Sequence, residues 1–177
     1  MPDLATILQA EWSQPEGNAH QLYYFYPDGV YVWQATRRRE MNAHGRWKLT
    51  GDRIELSEEK ADSGATRPDR SIAVEQIVDE SHLKIQAGTV RVASSEILEG
   101  ERRQLLERGF KFDVDVSDMA YSIVVPPPRE WTRIGELPDR TENVYWGLGD
   151  DASYQRGTEN MFRELGYRPI SDDRPSR

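Results

Sequence analysis

The sequence predicts a mainly β protein with minor helix, built as an antiparallel up-and-down barrel with a helix-containing insertion and a C-terminal helix. Segments that alternate apolar and polar residues recur along the first half of the chain, and turn sequences separate them at short intervals. Apart from a short turn at the N-terminus, helical spacing of apolar residues is confined to residues 94–109 and 151–165. These observations place two helices outside a β core.

Length and composition exclude several classes of protein. The 177 residues suit one domain with an appended segment, and the absence of cysteine excludes disulfides, Cys-based zinc sites and a thiol nucleophile. A net charge of −8 repels nucleic acid and attracts a basic protein. The N-terminus lacks the pattern of a secretory signal, and no window has the roughly 18 apolar residues of a membrane span. We therefore expect a cytoplasmic protein that contacts neither nucleic acid nor membrane.

The N-terminal segment predicts a helical turn that leads into the first strand. Its apolar residues are Leu4, Ile7, Leu8 and Trp12. Residues 13–20, with the sequence SQPEGNAH, are predicted to form a loop by composition.

An aromatic hairpin, YYFYPDGVYVW, occupies residues 23–33. Pro27 suits the second position of a type I turn, and Gly29 can adopt the left-handed conformation of a bulge. This three-residue loop pairs Phe25 with Tyr31, and the neighbouring pairs follow from it. One face then carries Tyr23, Phe25, Tyr31 and Trp33, and the other carries Tyr24, Tyr26, Val30 and Val32. Neither face is polar.

A second hairpin follows, with a turn at Gly51-Asp52. Its register pairs Trp47 with Leu56 on the buried face and Lys48 with Glu55 on the exposed face. Residues 58–71 are predicted to form a polar loop. Strands are predicted over 71–78 and 82–88, and 89–92 is expected to continue the second strand after a bend.

The remaining segments are less uniform. A helix is predicted over 94–109, with Ser94 or Ser95 as its N-cap and Gly109 as its end. Strands are predicted over three ranges, 110–116, 120–125 and 129–134. The tail from Gly135 contains a predicted strand over 141–148, a predicted helix over 151–165 and a frayed end over 171–177.

Five motifs together resemble the small bacterial lipocalin-like β-barrels. These are Trp12, Phe25 to Tyr31, Gly45 to Leu56, Leu83 to Ile85, and Trp131 to Arg133. The resemblance covers residues 4–92 and 129–134. It implies a barrel domain over 1–134 interrupted by an insertion over 94–125, followed by a C-terminal extension over 135–177 with one helix packed on the barrel. It also implies a binding module without chemistry of its own.

No motif in the sequence identifies an active site. The histidines His20, His44 and His82 lack metal-ligand spacing, so no metal and no cofactor is predicted. The glycine-rich 147–150 lacks the residues of a phosphate-binding loop, and the basic run 37–39 fits an exposed strand end or loop. No pair among the 31 acidic residues stands out as a glycosidase-like site. No catalytic residue is assigned, although an enzyme with an unrecognised carboxylate-based site remains a further alternative.

Two non-catalytic functions compete. In the first, which we favour, the protein contacts a protein partner, for example neutralising a basic toxin. Its partner-binding face would contain Tyr24, Tyr26, Val30 and Val32, unless the 94–109 helix or the tail covers them. In the second, the barrel carries or senses a small apolar ligand. Its lining would comprise Tyr23, Phe25, Tyr31, Trp33 and Trp47. The same residues could instead fill the interior completely, as in most small barrels.

Overall fold

The computed structural model describes residues 2–16, 19–35, 42–114, 121–140, 143–144 and 160–169. The helical elements are α1 Leu4–Leu8, a 3-10 helix Ser94–Glu96 and α2 Glu99–Glu107, and residues 160–164 are also helical. The strands are β1 Glu11–Glu16, β2 Ala19–Phe25, β3 Val30–Ala35, β4 Ala43–Thr50, β5 Arg53–Ala61, β6 Arg70–Asp79, β7 His82–Gln86, β8 Val90–Ala93, β9 Lys111–Val114, β10 Tyr121–Val125, β11 Arg129–Gly135, β12 Asn143–Val144 and β13 Arg168–Pro169.

Eight of these strands form a closed antiparallel barrel. Around the barrel the order is β1-β11-β7-β6-β5-β4-β3-β2, and β2 pairs with β1 to complete the ring. The predicted fold class, a mainly β chain with a closed antiparallel barrel and minor helix, is confirmed. Closure removes free sheet edges from the barrel, because every strand has two hydrogen-bonded neighbours.

Turn chemistry determines the two hairpins as the sequence predicts. Phe25 pairs with Tyr31, and Gly29 has φ +86°, the left-handed conformation of a bulge. The Tyr26 amide donates to the Val30 carbonyl oxygen at 2.8 Å, which closes the three-residue loop. In the second hairpin Lys48 lies opposite Glu55, and their charged groups are 3.1 Å apart.

Strands extend into both of the polar segments that were predicted as loops. Residues 11–16 and 19–25 form the β1–β2 hairpin, although polar composition predicts a loop over 13–20. The polar side chains of this hairpin are partly internal, since Ser13 and Gln14 are buried. Likewise β5 continues to Ala61 within the predicted 58–71 loop, because a bulge at Glu58 (φ +52°) lets the strand run on.

The segment between β7 and β11 contains a sheet separate from the barrel. Strand β8 pairs with β10 in a three-stranded sheet ordered β8-β10-β9, so the prediction that 89–92 continues β7 is wrong. Helix α2 begins at Glu99, five residues after the predicted start, and the 3-10 helix occupies the intervening segment. No residue of α2 is buried.

The C-terminal residues form the third part of the structure. Strand β12 pairs in parallel with β13, next to the helical residues 160–164. The predicted strand over 141–148 is described only at 143–144. The N-terminal part of the predicted helix, 151–159, and the predicted frayed end lie outside the described residues.

Candidate functional site

The barrel interior is an aromatic core. The predicted lining residues lie on the inner face: Tyr23, Phe25, Tyr31 and Trp33 belong to one buried cluster, and Trp47 packs against it. Ring centroids of Tyr23 and Trp131 lie 4.5 Å apart, and those of Phe25 and Trp47 lie 5.3 Å apart. These rings pack on one another, as the filled alternative predicts for this part of the interior.

Helix α1 belongs to the same core. Ile7 and Leu8 are buried with the interior residues, and the Trp12 Nε1–H donates to the Leu8 carbonyl oxygen at 3.1 Å. This places α1 at the barrel end where β1 begins.

A buried carboxylate interrupts the aromatic core. The bulge in β5 shifts the alternation of the strand, so that Glu59 and Ala61 follow Ile54 and Leu56 on the buried face. Glu59 is only 2% exposed. Burying an ionised carboxylate is costly unless charged and hydrogen-bonding partners surround it.

Two arginines supply those partners. Arg67 Nη1 donates to Glu59 Oε1 at 3.0 Å, and Arg70 Nε lies 3.4 Å from Glu59 Oε2. The Arg67 guanidinium also lies over the Trp33 ring, 4.5 Å from its centroid, in a cation–π contact. Both arginine side chains keep contact with water, with 25% and 38% of their surface exposed.

The tyrosines beside these charges have shifted pKa values. Burial raises the pKa of Tyr31, and the neighbouring Glu59 carboxylate raises it further. Burial also raises the pKa of Tyr23, although the nearby Arg70 opposes that shift. Burial alone would lower the pKa of Arg70, but Tyr23, Glu59 and Tyr31 hold it above its ordinary value. Both tyrosines therefore stay neutral at physiological pH, and Arg70 stays charged.

Three buried polar atoms of this group lack a hydrogen-bond partner within the described part of the chain. They are Tyr31 Oη, Trp33 Nε1 and Glu59 Oε2. The Tyr31 hydroxyl and the Glu59 carboxylate lie near each other, and Glu59 Oε2 faces Arg70 at 3.4 Å, so Trp33 Nε1 is the atom of the three with no complementary neighbour in the described ranges. The indole N–H groups of the other three described tryptophans all donate: to Leu8 O, to Tyr26 O and to Gln14 Oε1. Trp33 differs from them, and a buried donor without an acceptor costs free energy. We call Tyr23, Tyr31, Trp33, Glu59, Arg67 and Arg70 the polar cluster.

An open groove adjoins the polar cluster. It has a volume of about 530 Å³ and lies beside β5 and the start of β6. Arg70 lines this groove and also contacts Glu59 inside the barrel. The volume falls in the range of roughly 300–1,000 Å³ that small-molecule sites occupy.

Sequence reasoning found the aromatic members of the polar cluster and missed the charged ones. Glu59 and Arg67 lie in the segment predicted as a loop. The sequence does contain a signal for Arg70. It lies two residues before Ile72, so it shares the strand face on which Ile72 and Val74 lie. No sequence signal marks the bulge that directs Glu59 inward, because left-handed conformation is unusual for glutamate.

The other face of the aromatic hairpin is covered by the chain itself. Tyr24, Tyr26 and Val32 are buried in a second cluster with three C-terminal residues, Met161, Phe162 and Tyr167, and Val30 packs against this cluster. The Tyr26 hydroxyl donates to the Pro138 carbonyl oxygen at 3.1 Å. The assignment of this face to a partner stays a prediction, and it now requires the C-terminal residues to move away.

The histidines are dispersed. His20 Nδ1 lies 3.0 Å from Ser13 Oγ, and His82 Nε2 lies 3.1 Å from Glu130 Oε2. Burial lowers the pKa of His44, which lies in β4. No group of three metal-ligating side chains occurs among the residues described, and the sequence motifs at 37–39 and 147–150 lie outside them.

Comparisons of the chain with family models, with curated proteins and with solved structures found no match. The resemblance to lipocalin-like barrels therefore stays a prediction. The proposed function rests on the fold and on the polar cluster. No helix in the described ranges combines the length and the apolar character needed to cross a membrane.

Proposed function

We propose that the protein is a non-catalytic binding protein that holds a small organic molecule at the polar cluster. The observation that carries this proposal is the buried Trp33 Nε1–H, which has no acceptor among the described residues and belongs to a ring that Arg67 covers. A bound molecule with a hydrogen-bond acceptor would satisfy this donor. Ligand sites in proteins combine aromatic walls with a few convergent polar groups, and the polar cluster has this composition.

Access to the cluster requires the Arg67 side chain to move away from Trp33. Arg67 covers the face of Trp33 from a segment between two strands, and its side chain is partly exposed. A flat ligand ring would take the place of the guanidinium on Trp33. The barrel strands would keep their pairing, because Arg67 lies outside β5 and β6.

Contact with a protein partner is the second candidate, and a different surface supports it. Leu98 and Leu106 are 68% and 50% exposed beside α2, which buries none of its residues. Leu98 directly precedes α2 and Leu106 lies in its last turn, and apolar side chains exposed together in a patch are typical of interaction surfaces. Met161 and Phe162 cover the Tyr24 and Tyr26 face of the aromatic hairpin. The surface at Leu98 and Leu106 is therefore the more accessible of the two candidate partner surfaces.

Fluorescence titration with a neutral dye, phenylnaphthylamine, and an anionic dye with the same ring system, anilinonaphthalene sulfonate, tests the proposed ligand site. We expect saturable binding of one dye per protein molecule, and Trp33→Phe should weaken it because the Nε1 donor is lost. Leu98→Asp is the control, since it removes an exposed apolar side chain that is not part of the polar cluster. No saturable binding, or binding that responds to Leu98→Asp and not to Trp33→Phe, would contradict the proposal.

A further inference from the structure

Resting on the proposed ligand site, we infer that the ligand carries a planar cationic group, an amidinium or a guanidinium, which binds where the Arg67 side chain lies. Arg67 is then an internal stand-in for the ligand, and its side chain leaves the site when the ligand binds. Three neighbouring features carry this inference: the buried Glu59 carboxylate, the face of the Trp33 ring, and the unpartnered Trp33 Nε1–H.

The Arg67 guanidinium shows which chemistry the site accepts. Its Nη1 donates to Glu59 Oε1 at 3.0 Å, and its Cζ lies 4.5 Å from the centroid of the Trp33 ring. The site therefore offers a cation two complementary surfaces, a carboxylate and an aromatic face. A guanidinium suits both, because it is planar, weakly hydrated and able to pair with a carboxylate while it stacks on a ring. An amidinium has the same planar form and the same paired N–H donors.

The charge balance of the site requires a positive group in the place of Arg67. The carboxylates of Glu59 and Asp69 balance the guanidinium groups of Arg67 and Arg70 in the cluster and the adjoining groove. When the Arg67 side chain moves out, two acids face Arg70 alone. Removing one partner of a buried ion pair is strongly destabilising, because it leaves a buried charge uncompensated. A neutral or anionic group incurs this cost, whereas a cation avoids it.

The Arg67 side chain can leave while its backbone stays in place. The Arg67 amide donates to the Glu59 carbonyl oxygen at 3.0 Å, and Lys60 forms a β-bridge with Thr66. These contacts hold the backbone on β5 whatever the side chain does. The side chain itself is 25% exposed, so its guanidinium can turn outward into water. Arg70 differs, because it begins β6 and pairs with Leu56 across the sheet.

The Trp33 Nε1–H adds a second requirement. It is buried and has no acceptor in the described part of the chain. Arg67 cannot supply one, because a guanidinium only donates hydrogen bonds. A ligand with a carbonyl oxygen next to its cationic end makes a hydrogen bond that Arg67 cannot make. That extra bond favours displacement of the stand-in.

Three small probes of nearly equal shape provide the test. They are 4-carbamoylbenzamidine, terephthalamide and 4-carbamoylbenzoate, which share a ring and an amide acceptor and differ in one group that is cationic, neutral or anionic. Each is titrated against the full-length protein by calorimetry and by displacement of phenylnaphthylamine. We expect the cationic probe to bind about tenfold more tightly than the neutral one, which is the difference between a charged and a neutral hydrogen bond. The anionic probe should bind most weakly.

Two variants assign that preference to the site. Glu59→Gln should abolish it, because the carboxylate is lost, and Glu101→Gln at an exposed position of α2 is the matched control. Arg67→Ala should strengthen binding of the cationic probe about tenfold, because the competing side chain is gone. Arg91→Ala, at an exposed position of β8, should leave it unchanged. The three probes on the unchanged protein decide the inference even if Glu59→Gln does not fold.

The outcomes separate this inference from the proposed ligand site. Equal binding of the three probes, a preference for the anionic one, or dye binding that no probe displaces overturns the cation inference and leaves the ligand site standing. Binding of the cationic probe to Arg67→Ala and not to the unchanged protein shows that Arg67 is a permanent partner of Glu59, which also overturns it. Binding of neither dye nor probe removes both proposals.

Discussion

At the scale of single residues, Tyr31 shows how a side chain can cost stability and serve binding. Its ring is fully buried against Phe25, with centroids 6.4 Å apart, while its hydroxyl finds no partner among the described residues. Tyr26 is the contrasting case, because its hydroxyl donates to the Pro138 carbonyl oxygen. The two tyrosines lie in the same hairpin, on opposite faces.

Replacing these tyrosines with phenylalanine should have opposite effects. Tyr31→Phe removes an unsatisfied group, so the free energy of unfolding should stay equal or rise, while affinity for the neutral dye falls. Tyr26→Phe removes the hydrogen bond from the Tyr26 hydroxyl to the Pro138 carbonyl oxygen. It should lower the free energy of unfolding by about 1 kcal/mol, without a change in dye affinity. Urea unfolding and dye titration measure both. A destabilised Tyr31→Phe protein would mean that the hydroxyl has a partner.

At the scale of elements, Gly45 in β4 makes the bulge of β5 possible. A Cβ at this position would lie 2.7 Å from the Ser57 carbonyl oxygen, 2.8 Å from Tyr31 Cε1 and 3.1 Å from Glu59 Cα. Two of these three atoms are backbone atoms and cannot rotate away. Because Gly45 lets β4 and β5 approach closely at this point, β5 can form the bulge that turns Glu59 inward.

Gly45→Ala should therefore destabilise the protein by about 1–3 kcal/mol, the usual cost of overpacking a core. Gly100→Ala is the matched control, because Gly100 lies in α2 with nothing within 4 Å of the added Cβ. It should stabilise the protein by about 0.5–1 kcal/mol through helix propensity. Thermal or urea unfolding of both variants distinguishes them, and an unaffected Gly45→Ala protein would contradict the tight approach.

These elements also show how far the sequence determines the fold and the candidate site. The two hairpin registers were predictable because Pro27, Gly29 and the Gly51-Asp52 turn each require a particular backbone geometry. The aromatic half of the polar cluster followed from those registers. The charged half did not, because a bulge at a glutamate and the pairing of β8 with β10 depend on contacts between distant segments.

At the scale of the whole molecule, the C-terminal residues act as a cover for the barrel. Met161, Phe162 and Tyr167 bury one face of the aromatic hairpin, and the ring of Phe162 lies edge-on to that of Tyr167 with centroids 5.2 Å apart. Further contacts reach the hairpin from residues 137–140. One of them is the ion pair between Arg140 and Asp28.

Phe162→Ala should release the cover while the barrel stays folded. Truncating a buried phenylalanine costs about 3–5 kcal/mol, which is large for a contact made by so short a segment. Hydrogen exchange should become faster over 160–169 and stay slow in β5 and β6. Leu106→Ala, an equivalent truncation at an exposed position, is the control and should leave exchange over 160–169 unchanged. Unchanged exchange in Phe162→Ala would show that other contacts hold the cover.

Closure of the barrel also has a consequence for synthesis of the chain. Strand β11 completes the ring between β1 and β7, and the Trp131–Gln14 hydrogen bond at this seam spans 117 positions of sequence. The other seven strands of the ring lie within residues 11–86 and leave the ribosome first. Until residues 129–135 follow, β1 and β7 are open edges of an incomplete sheet, exposed to pairing with other nascent chains. The length of the insertion therefore sets how long these two edges stay open during synthesis.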